Sequence, residues 1–475
     1  MSLSNTHLGP ERLGQLLRDC RTVHFIGAGG VSMCSLAEIA LREGLRVTGS
    51  DRTDSERLGR LRRLGADIHI GHSAEWIRGA DAVIYTVAIG EENPEYLAAR
   101  QAGLPLISRA DYLGYLMLRY RTRIGVAGMN GKSTTTAMCA QILLAGGDPT
   151  VLCGAELPSL GGACCRIGEG REQMVFEACE YRDSFLDFNP TLAVLLNIGM
   201  DHVDYFHSME QLRTSFLRFA ERTGPEGCVL ANAEDPELMR ALEPYRGRLC
   251  TFGTGRTADF RASEVTARRG CRQFVFCRKE EPVCRISLRQ PGGFQVVNAL
   301  AAASAAFLSG ASPQEIAQGL SSFCGVHRRM EYRGSLNGAA VYDDYAHHPT
   351  AIRTTLAAAR ELGFRRVLCA YQPHTYSRTA GLFREFARAF DDCDRVYFAD
   401  IYAARERNES GVSSRRLAEA VGRHAVYCGA LPDLADRLCS DAGPGDLLLI
   451  MGAGDIEDLF GLLPLRKPQA SEPDR

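Results

Sequence analysis

The fold of this chain is decided by residues 123–134, which read RIGVAGMNGKST. An apolar run, residues 124–127, leads into a glycine turn and then into the Thr-rich start of a helix. This is the order of a strand, a phosphate-binding loop and a helix. Glycines let backbone N–H groups approach phosphate oxygens closely, and the helix N-terminus adds positive potential. The stretch therefore predicts an α/β nucleotide-binding domain built on a mainly parallel sheet.

The loop also supplies a cation and a metal ligand. Lys132 is one of only three lysines in the chain, and it stands where a loop lysine reaches the β- and γ-phosphates. The hydroxyl of Ser133 is suited to Mg²⁺. A strict Walker motif would need glycine at Val126, so the generic pattern fails by one position. We predict that ATP is bound by Gly128, Met129, Asn130, Gly131, Lys132, Ser133 and Thr134.

A second glycine turn lies near the N-terminus. Residues 27–32, GAGGVS, follow a predicted strand at 23–26 and open a predicted helix at 31–43. The next strand ends at Ser50 and Asp51, about one Rossmann spacing after the glycines. The turn departs from G-x-G-x-x-G because it ends in Ser32. Taken alone it suits a nicotinamide cofactor as well as a sugar nucleotide, so an NAD-dependent oxidoreductase is an alternative.

Length and composition narrow the class of protein. The 475 residues are too many for one core and predict about three domains, which we place at 1–118, 119–325 and 326–475. A formal net charge of -2 argues against a nucleic-acid partner. No apolar run approaches the ~20 residues of a membrane span, and the N-terminus lacks a signal-peptide core, which predicts a cytoplasmic protein without a membrane partner. The 17 scattered cysteines are expected to be buried small hydrophobes.

A series of motifs extends from the loop along almost the whole chain and resembles the Mur ligase family. The segments that carry the resemblance are 125–134, 177–186, 197–204, 325–331, 343–350, 372–379 and 452–456. The resemblance implies three α/β domains. A Rossmann-like domain binds a UDP-sugar, a central P-loop domain binds ATP, and a Rossmann-like C-terminal domain closes over the reacting centre.

The segments at 343–350 and 372–379 resemble the branch of the family that adds L-alanine to the carboxylate of UDP-N-acetylmuramate. The implied reaction consumes ATP, passes through an acyl phosphate and belongs to peptidoglycan precursor synthesis. Because it brings anions together, cations must crowd the site. The implied cofactors are ATP and Mg²⁺, for which Mn²⁺ can substitute. The implied assembly is a monomer or a homodimer.

The resemblance also implies roles for individual residues. The metal ligands are Ser133, Glu177 and His202. The further ATP contacts are Asn298, Arg329 and Asp344. The UDP-sugar contacts are Gly29, Gly30, Ser50, Asp51, His72 and Arg109. The amino-acid contacts are Tyr345, His348, His374 and Arg378. The catalytic residues are Lys132, Glu177, His202, His348 and Arg378.

Two departures from the family pattern leave the amino-acid preference open. Phe294-Gln295 replaces the usual His-Asn ahead of Asn298, and Thr375 stands where the family often has a further arginine. The nearest alternative function is a recycling ligase that adds a preformed peptide to the same UDP-sugar. The alternatives from other classes are the NAD-dependent oxidoreductase and a P-loop ATPase that performs no ligation.

Overall fold

The computed structural model describes residues 3–202, 205–268, 270–404 and 406–467. The chain divides into two compact units, each of which is described by itself. The first comprises Met1–Gly199, Ser208–Arg261 and Ala301–Gly319. The second comprises Met200–His207, Ala262–Leu300 and Leu320–Arg475.

The N-terminal part of the first unit is a parallel five-stranded sheet with helices on both faces. Its strands are β1 (Thr22–Ile26), β2 (Arg46–Asp51), β3 (Asp67–Ile70), β4 (Ala82–Tyr85) and β5 (Leu106–Ser108), in the order β3–β2–β1–β4–β5. Its helices are α1 (Pro10–Leu16), α2 (Val31–Arg42), α3 (Glu56–Arg63), α4 (Pro94–Gln101) and α5 (Arg109–Met117). The central strand β1 is almost wholly buried, as expected when helices cover both faces. The predicted βαβ order is confirmed.

The rest of the first unit is a second, mainly parallel sheet. Its strands are β6 (Thr122–Ala127), β7 (Thr150–Leu157), β8 (Ala163–Arg166), β9 (Gln173–Glu177), β10 (Leu192–Leu195), β11 (Cys228–Asn232) and β12 (Arg248–Gly253). They run in the order β12–β11–β10–β6–β9–β7–β8, with β8 antiparallel at the edge. The helices are α6 (Lys132–Gly146), α7 (Met209–Glu221) and α8 (Pro236–Leu242). A Cβ on Gly125 in β6 would lie 2.9 Å from the Phe176 ring, which explains the glycine at this central position.

Strand β13 (Phe260–Arg268) begins beside β12 and continues into the second unit. There β14 (Cys271–Arg278) and β15 (Glu281–Leu288) form an antiparallel hairpin that was not expected from the sequence. Helices α9 (Phe294–Leu308) and α10 (Pro313–Ser321) follow the hairpin along the chain.

The C-terminal part of the second unit holds a six-stranded sheet. Its strands are β16 (Glu331–Leu336), β17 (Ala339–Asp344), β18 (Arg366–Tyr371), β19 (Arg395–Ala399), β20 (Ala425–Gly429) and β21 (Asp446–Met451), in the order β16–β17–β21–β18–β19–β20. The helices are α11 (Pro349–Glu361), α12 (Tyr376–Gly381), α13 (Phe383–Ala387), α14 (Ser414–Val421), α15 (Leu431–Asp441) and α16 (Leu459–Leu462). Leu447 and Leu449 pack in one core while Leu448 and Ile450 pack in another, because successive strand residues face opposite sides.

Two expectations from composition can be compared with the structure. Over the described ranges, every helix is too short or too polar to cross a bilayer. Nine of the 17 cysteines are buried, whereas Cys271 and Cys324 are exposed. The expectation of burial is therefore wrong for those two, which lie at the start of a hairpin strand and in a loop.

Candidate active site

The phosphate loop lies between the end of β6 and the start of α6, as predicted. Gly131 caps the helix with a left-handed backbone at φ 88°. Gly128 has φ 147°, and a Cβ there would lie 2.9 Å from the Cβ of Leu196. Both positions therefore need glycine, because a side chain would meet strain or a close neighbour.

Asn197 holds the loop in shape from the neighbouring strand. The Asn130 N–H donates to Asn197 Oδ1 at 2.8 Å, and Asn197 Nδ2 donates to the Asn130 carbonyl at 3.0 Å. The Met129 N–H donates to the Asn197 carbonyl at 3.2 Å. Asn197 lies in the segment 197–204 that resembles the Mur ligase family, but its contact with the loop was not predicted from the sequence.

Lys132 is desolvated and paired with a carboxylate. Its Nζ lies 3.1 Å from Oε2 of Glu180, which is buried, and it also donates to the Gly128 carbonyl. Burial alone would lower the pKa of Lys132, but the negative charge of Glu180 outweighs it and holds the pKa above its usual value. The cation is therefore fully charged and fixed at the loop.

Glu177 ends β9, at the carboxyl edge of the parallel sheet where a metal carboxylate was predicted. Its Oε1 accepts hydrogen bonds from the Gly154 N–H and from Cys153 Sγ, the latter at 3.3 Å. Cys153 Sγ also contacts the Ser133 carbonyl at 3.6 Å, so Glu177 and Ser133 flank the same thiol. Among the described residues, Glu177 Oε2 has no hydrogen bond, which leaves one oxygen open toward a ligand.

This oxygen set fits Mg²⁺, which is usually bound by one or two protein oxygens together with substrate phosphates. Over the described ranges no cluster of three or more His, Cys, Asp or Glu side chains could hold a metal. His202 belongs to the second unit, and its role as a further ligand stays a prediction. Val203 and Asp204 of the same segment lie outside the described residues.

Arg109, a predicted UDP-sugar contact, is a cation without a partner. It opens α5, is half-buried, and makes no hydrogen bond or ion pair with any described residue. Burial lowers its pKa, against the opposing influence of Cys179 and Asp187. Cys179 also interacts electrostatically with Lys132, so Arg109 and Lys132 share one neighbour. An unpaired guanidinium here would bind an anion favourably.

In the N-terminal glycine turn, the N–H groups of Gly29 and Gly30 are hydrogen-bonded within the protein. The Gly29 N–H donates to Asp51 Oδ2 at 2.8 Å, and the Gly30 N–H donates to the Gly27 carbonyl at 3.2 Å. The predicted cradling of a pyrophosphate by Gly29 and Gly30 therefore stays untested. The first N–H groups of α2, at residues 31–33, have no partner within the helix. They are therefore better suited than the Gly29 and Gly30 N–H groups to donate hydrogen bonds to an anion.

Ser50 and His72, the other predicted UDP-sugar contacts, meet at a buried carboxylate. Ser50 Oγ donates to Glu95 Oε2 at 2.6 Å, and His72 Nδ1 lies 3.1 Å from Glu95 Oε1. Glu95 was not predicted as a site residue, because its sequence signal is no more than its place in the Asn-Pro-Glu start of α4.

In the second unit, Arg378 is held by groups from two segments. Its Nη2 lies 3.1 Å from Asp201 Oδ1, and its Nη1 lies 3.3 Å from His374 Nδ1. The His202 N–H also donates to Asp201 Oδ1, at 2.7 Å. Burial would raise the pKa of Asp201, but Arg378 and His202 offset it and hold the pKa well below its usual value. This ionised carboxylate fixes the predicted amino-acid-binding arginine.

The histidines around Arg378 are neutral at pH 7. Burial, with the charge of Arg378, lowers the pKa of His374 and brings that of His347 to about 3. Burial also lowers the pKa of His348, whose Nδ1 accepts the Thr350 N–H at 3.3 Å and whose Nε2 donates to the Met200 carbonyl at 3.2 Å. Because both nitrogens of His348 are engaged, the structure supports a positioning role, and its catalytic role stays a prediction.

Thr375 and Tyr345 orient the arginines of this unit. Thr375 has φ 65°, unusual for a β-branched residue, and its hydroxyl caps α12 by accepting the Arg378 N–H at 3.4 Å. The guanidiniums of Arg328 and Arg329 lie 5.2 and 5.1 Å from the Tyr345 ring centre. Thr375 therefore caps the helix that carries Arg378.

The remaining predicted ATP contacts are engaged within the protein. Asp344 accepts the Met330 N–H at 2.9 Å and the Ala346 N–H at 2.8 Å. Asn298 Nδ2 donates to Gln295 Oε1 at 3.2 Å, so the unusual Gln295 orients Asn298. Contacts of Asp344 with ribose and of Asn298 with adenine stay predictions.

Comparisons with known proteins agree with this architecture. Residues 22–121 match the model of the Mur ligase family, catalytic domain, residues 126–306 match the Mur ligase middle domain, and residues 328–454 match the Mur ligase, glutamate ligase domain. The chain is 40% identical over 447 residues to a UDP-N-acetylmuramate--L-alanine ligase of Clostridium perfringens, covering 93% of this chain and 97% of the relative. It is 42% identical to the protein of that name from Acetivibrio thermocellus, covering 91% and 93%.

Solved structures give the same result. The UDP-N-acetylmuramate-alanine ligase of Thermotoga maritima superposes with a TM-score of 0.77 and 28% identity, covering 93% of this chain and 97% of that one. A murein peptide ligase of Psychrobacter arcticus shares the fold, with a TM-score of 0.70 at 24% identity over 92% and 97% of the two chains. The three-domain α/β fold implied by the motifs is thus confirmed, and the chain belongs to the Mur ligase family.

Proposed function

We propose that this chain is an ATP-dependent ligase that joins L-alanine to the carboxylate of UDP-N-acetylmuramate, a cytoplasmic step of peptidoglycan precursor synthesis. Relatives about 40% identical over more than nine-tenths of the chain carry the name of this activity. The observation that carries the proposal is Lys132, a desolvated cation fixed by Glu180 at the mouth of a glycine loop. Such a cation suits phosphoryl transfer to an anionic acceptor.

The reaction needs two steps, because a carboxylate is a poor electrophile. In the first, a carboxylate oxygen of the sugar nucleotide attacks the γ-phosphorus of ATP, the bond to ADP breaks, and an acyl phosphate forms. In the second, the alanine amine attacks the acyl carbon and inorganic phosphate leaves. Lys132 would offset the charge that accumulates in the first step, and Arg109, which pairs with no described residue, would bind an anionic group of the sugar nucleotide.

Residues of the second unit would bind the amino acid. A guanidinium can bind a carboxylate through two parallel hydrogen bonds, which makes Arg378 the proposed partner of the alanine carboxylate. Asp201 and His374 hold that guanidinium at 3.1 and 3.3 Å. The orientation of Arg378 is thereby set before the amino acid arrives, which reduces the entropy lost on binding.

Ser133 and Glu177 would hold Mg²⁺, or Mn²⁺ in its place, which when bound neutralises negative charge on the phosphate oxygens. His202 is proposed as a further ligand. The open Oε2 of Glu177 and the Ser133 position in the first turn of α6 support this assignment.

The test is phosphate release from ATP and Mg²⁺ in the presence of UDP-N-acetylmuramate and one of L-alanine, L-serine, glycine or an L-Ala-γ-D-Glu tripeptide. We expect release that requires both the sugar nucleotide and L-alanine. Release only with the tripeptide would identify a recycling ligase instead. Release without any amine would identify an ATPase that performs no ligation, and absence of release with every amine would overturn the proposal.

A further inference from the structure

We infer that Glu95 is a positioning residue for the sugar nucleotide, which holds Ser50 and His72 in the arrangement that receives the ligand. The inference rests on the proposed function, because it presumes that the UDP-sugar binds at the N-terminal sheet. Glu95 lies in the first turn of α4 and its exposed fraction is 0%.

Four donors converge on the two oxygens of this buried carboxylate. Oε2 accepts from Ser50 Oγ at 2.6 Å and lies 3.0 Å from His24 Nε2. Oε1 accepts from the Ser73 N–H at 3.1 Å and lies 3.1 Å from His72 Nδ1. The carboxylate thereby joins the end of β2, the loop after β3 and the buried middle of β1. The first two of these segments lie at the carboxyl edge of a parallel sheet, where ligands of such folds bind.

The side chains bonded to Glu95 differ in solvent exposure. His24 and Ser50 are 0% exposed, and His24 Nδ1 is engaged by Thr48 Oγ1 at 2.7 Å. The side chain of His72 is 17% exposed, which makes it the member that reaches the surface. Because Nδ1 of His72 faces Glu95 and Ser50, its Nε2 is the nitrogen left to face a ligand.

The ionised form of Glu95 is favoured inside the protein. Burial would raise the pKa of Glu95, but the hydrogen bonds from His24, Ser50 and His72 outweigh it and hold the pKa below its usual value. A carboxylate at this place favours a proton on His72 Nδ1 and fixes the ring orientation, with Nε2 left to face the ligand.

The experiment is Glu95→Gln, with the dissociation constant of UDP-N-acetylmuramate measured by calorimetry and the steady-state constants measured for all three substrates. The amide is isosteric, and its oxygen can keep the Ser73 N–H while its NH₂ group faces Ser50, so the fold is preserved. We expect the dissociation constant and the KM of the sugar nucleotide to rise about tenfold. The KM of ATP and kcat should stay within about twofold.

Glu38→Gln is the matched control. Glu38 is also a buried glutamate of the N-terminal sheet's helices, but its partners are Arg60 and Arg42 on the helical surface. We expect it to lower the melting temperature without moving the dissociation constant. A tenfold weakening by both variants would reduce Glu95 to a general structural role and overturn the inference, as would unchanged binding in Glu95→Gln.

A double-mutant cycle separates positioning from a direct contact. If Glu95 acts through His72 and Ser50, the Glu95→Gln/His72→Ala pair should lose less binding than the sum of the two single losses. Strictly additive losses would contradict the inference. Failure of the wild-type protein to bind the sugar nucleotide at all would instead contradict the proposed function, so the two failures are distinguishable.

Discussion

The two glycine turns of this protein connect a strand to a helix in the same way but treat charge in opposite ways. In the N-terminal turn, the Gly29 N–H is occupied by the protein's own anion, Asp51, at 2.8 Å. In the phosphate loop, a cation is brought in, because Lys132 Nζ lies 3.1 Å from Glu180 and beside the Gly128 carbonyl. The first turn is therefore closed by a carboxylate, and the second is prepared with a lysine.

The difference teaches that a glycine turn by itself does not define a phosphate site. The phosphate loop combines flexible backbone with a desolvated cation, so it is suited to charge that develops during phosphoryl transfer. At the N-terminal turn the nearby cation is Arg57, whose Nε donates to the Gly29 carbonyl at 2.8 Å from a side chain that is 38% exposed. The predicted recognition groups of this turn are the side chains of Ser50, His72 and Arg109. We expect mutations at the second turn to affect the use of ATP and mutations at the first to leave it unchanged.

The largest expected effect is at the lysine. Lys132→Ala removes the charge that allows a carboxylate to approach the γ-phosphate, so we expect kcat to fall at least about 10³-fold, the scale of lost transition-state charge stabilisation. Phosphate release with saturating substrates measures it. The control is Lys279→Ala, which removes an exposed lysine from the turn between β14 and β15. Near-normal activity in Lys132→Ala would contradict the assignment of the loop as the phosphate site.

The next effect concerns the clamp on the loop. Asn197→Ala removes two side-chain hydrogen bonds to Asn130, each contributing about 1 kcal/mol. We expect the KM of ATP to rise roughly tenfold, since about 1.4 kcal/mol is a factor of ten, while that of the sugar nucleotide is unchanged. The matched control is Asn189→Ala, whose side chain bonds to the Gly114 and Asp187 carbonyls away from the loop. Equal changes for both substrates would mean that Asn197 supports the whole unit rather than the loop.

Much of this comparison could be predicted from the sequence. The strands and helices around both turns were expected within one or two residues, because apolar runs of four or five residues alternate with helical periodicity there. The position of Lys132 followed from the loop motif, and the role predicted for Glu177 followed from the resemblance of residues 177–186 to the Mur ligase family. These features depend on local order along the chain, which a sequence displays directly.

The partners of the site residues could not be predicted in the same way. Glu95 lies 45 residues from Ser50 and 71 from His24, and only the sheet brings them together. The pairing of Asp51 with the Gly29 N–H and the clamp by Asn197 likewise join separate strands. The hairpin of β14 and β15 was missed because its alternation of apolar and polar residues is weak. Contacts of this kind are set by topology rather than by local pattern.

The charged groups of the two regions are expected to lose their contributions to stability at opposite ends of the pH scale. The pKa of Glu95 is lowered from 4.5, so its contribution to stability is present above pH 4.5 and is lost as pH falls further. The pKa of Lys132 is raised above 10.5, so its contribution is complete below pH 10.5 and is lost above the raised pKa. Hydrogen exchange of the two turns between pH 3.5 and 11 would measure this. Loss of protection at the same pH in both regions would contradict the distinction.

The smallest expected effect is at the N-terminal glycine turn. Asp51→Ala leaves the Gly29 N–H without its partner at a partly exposed position, which costs about 1 kcal/mol. For a domain of this size that corresponds to a melting temperature lower by about 2–4 °C. Asp54→Ala is the control, because Asp54 pairs with Arg62 at the surface and accepts the adjacent Ser55 N–H, and such exposed interactions contribute little. The KM of ATP should be unchanged, since the Asp51 carboxylate bonds to the Gly29 N–H of the first turn. A rise in the KM of ATP would mean that the two turns are coupled. A higher melting temperature of Asp51→Ala would mean that the carboxylate destabilises the protein and is retained for the ligand.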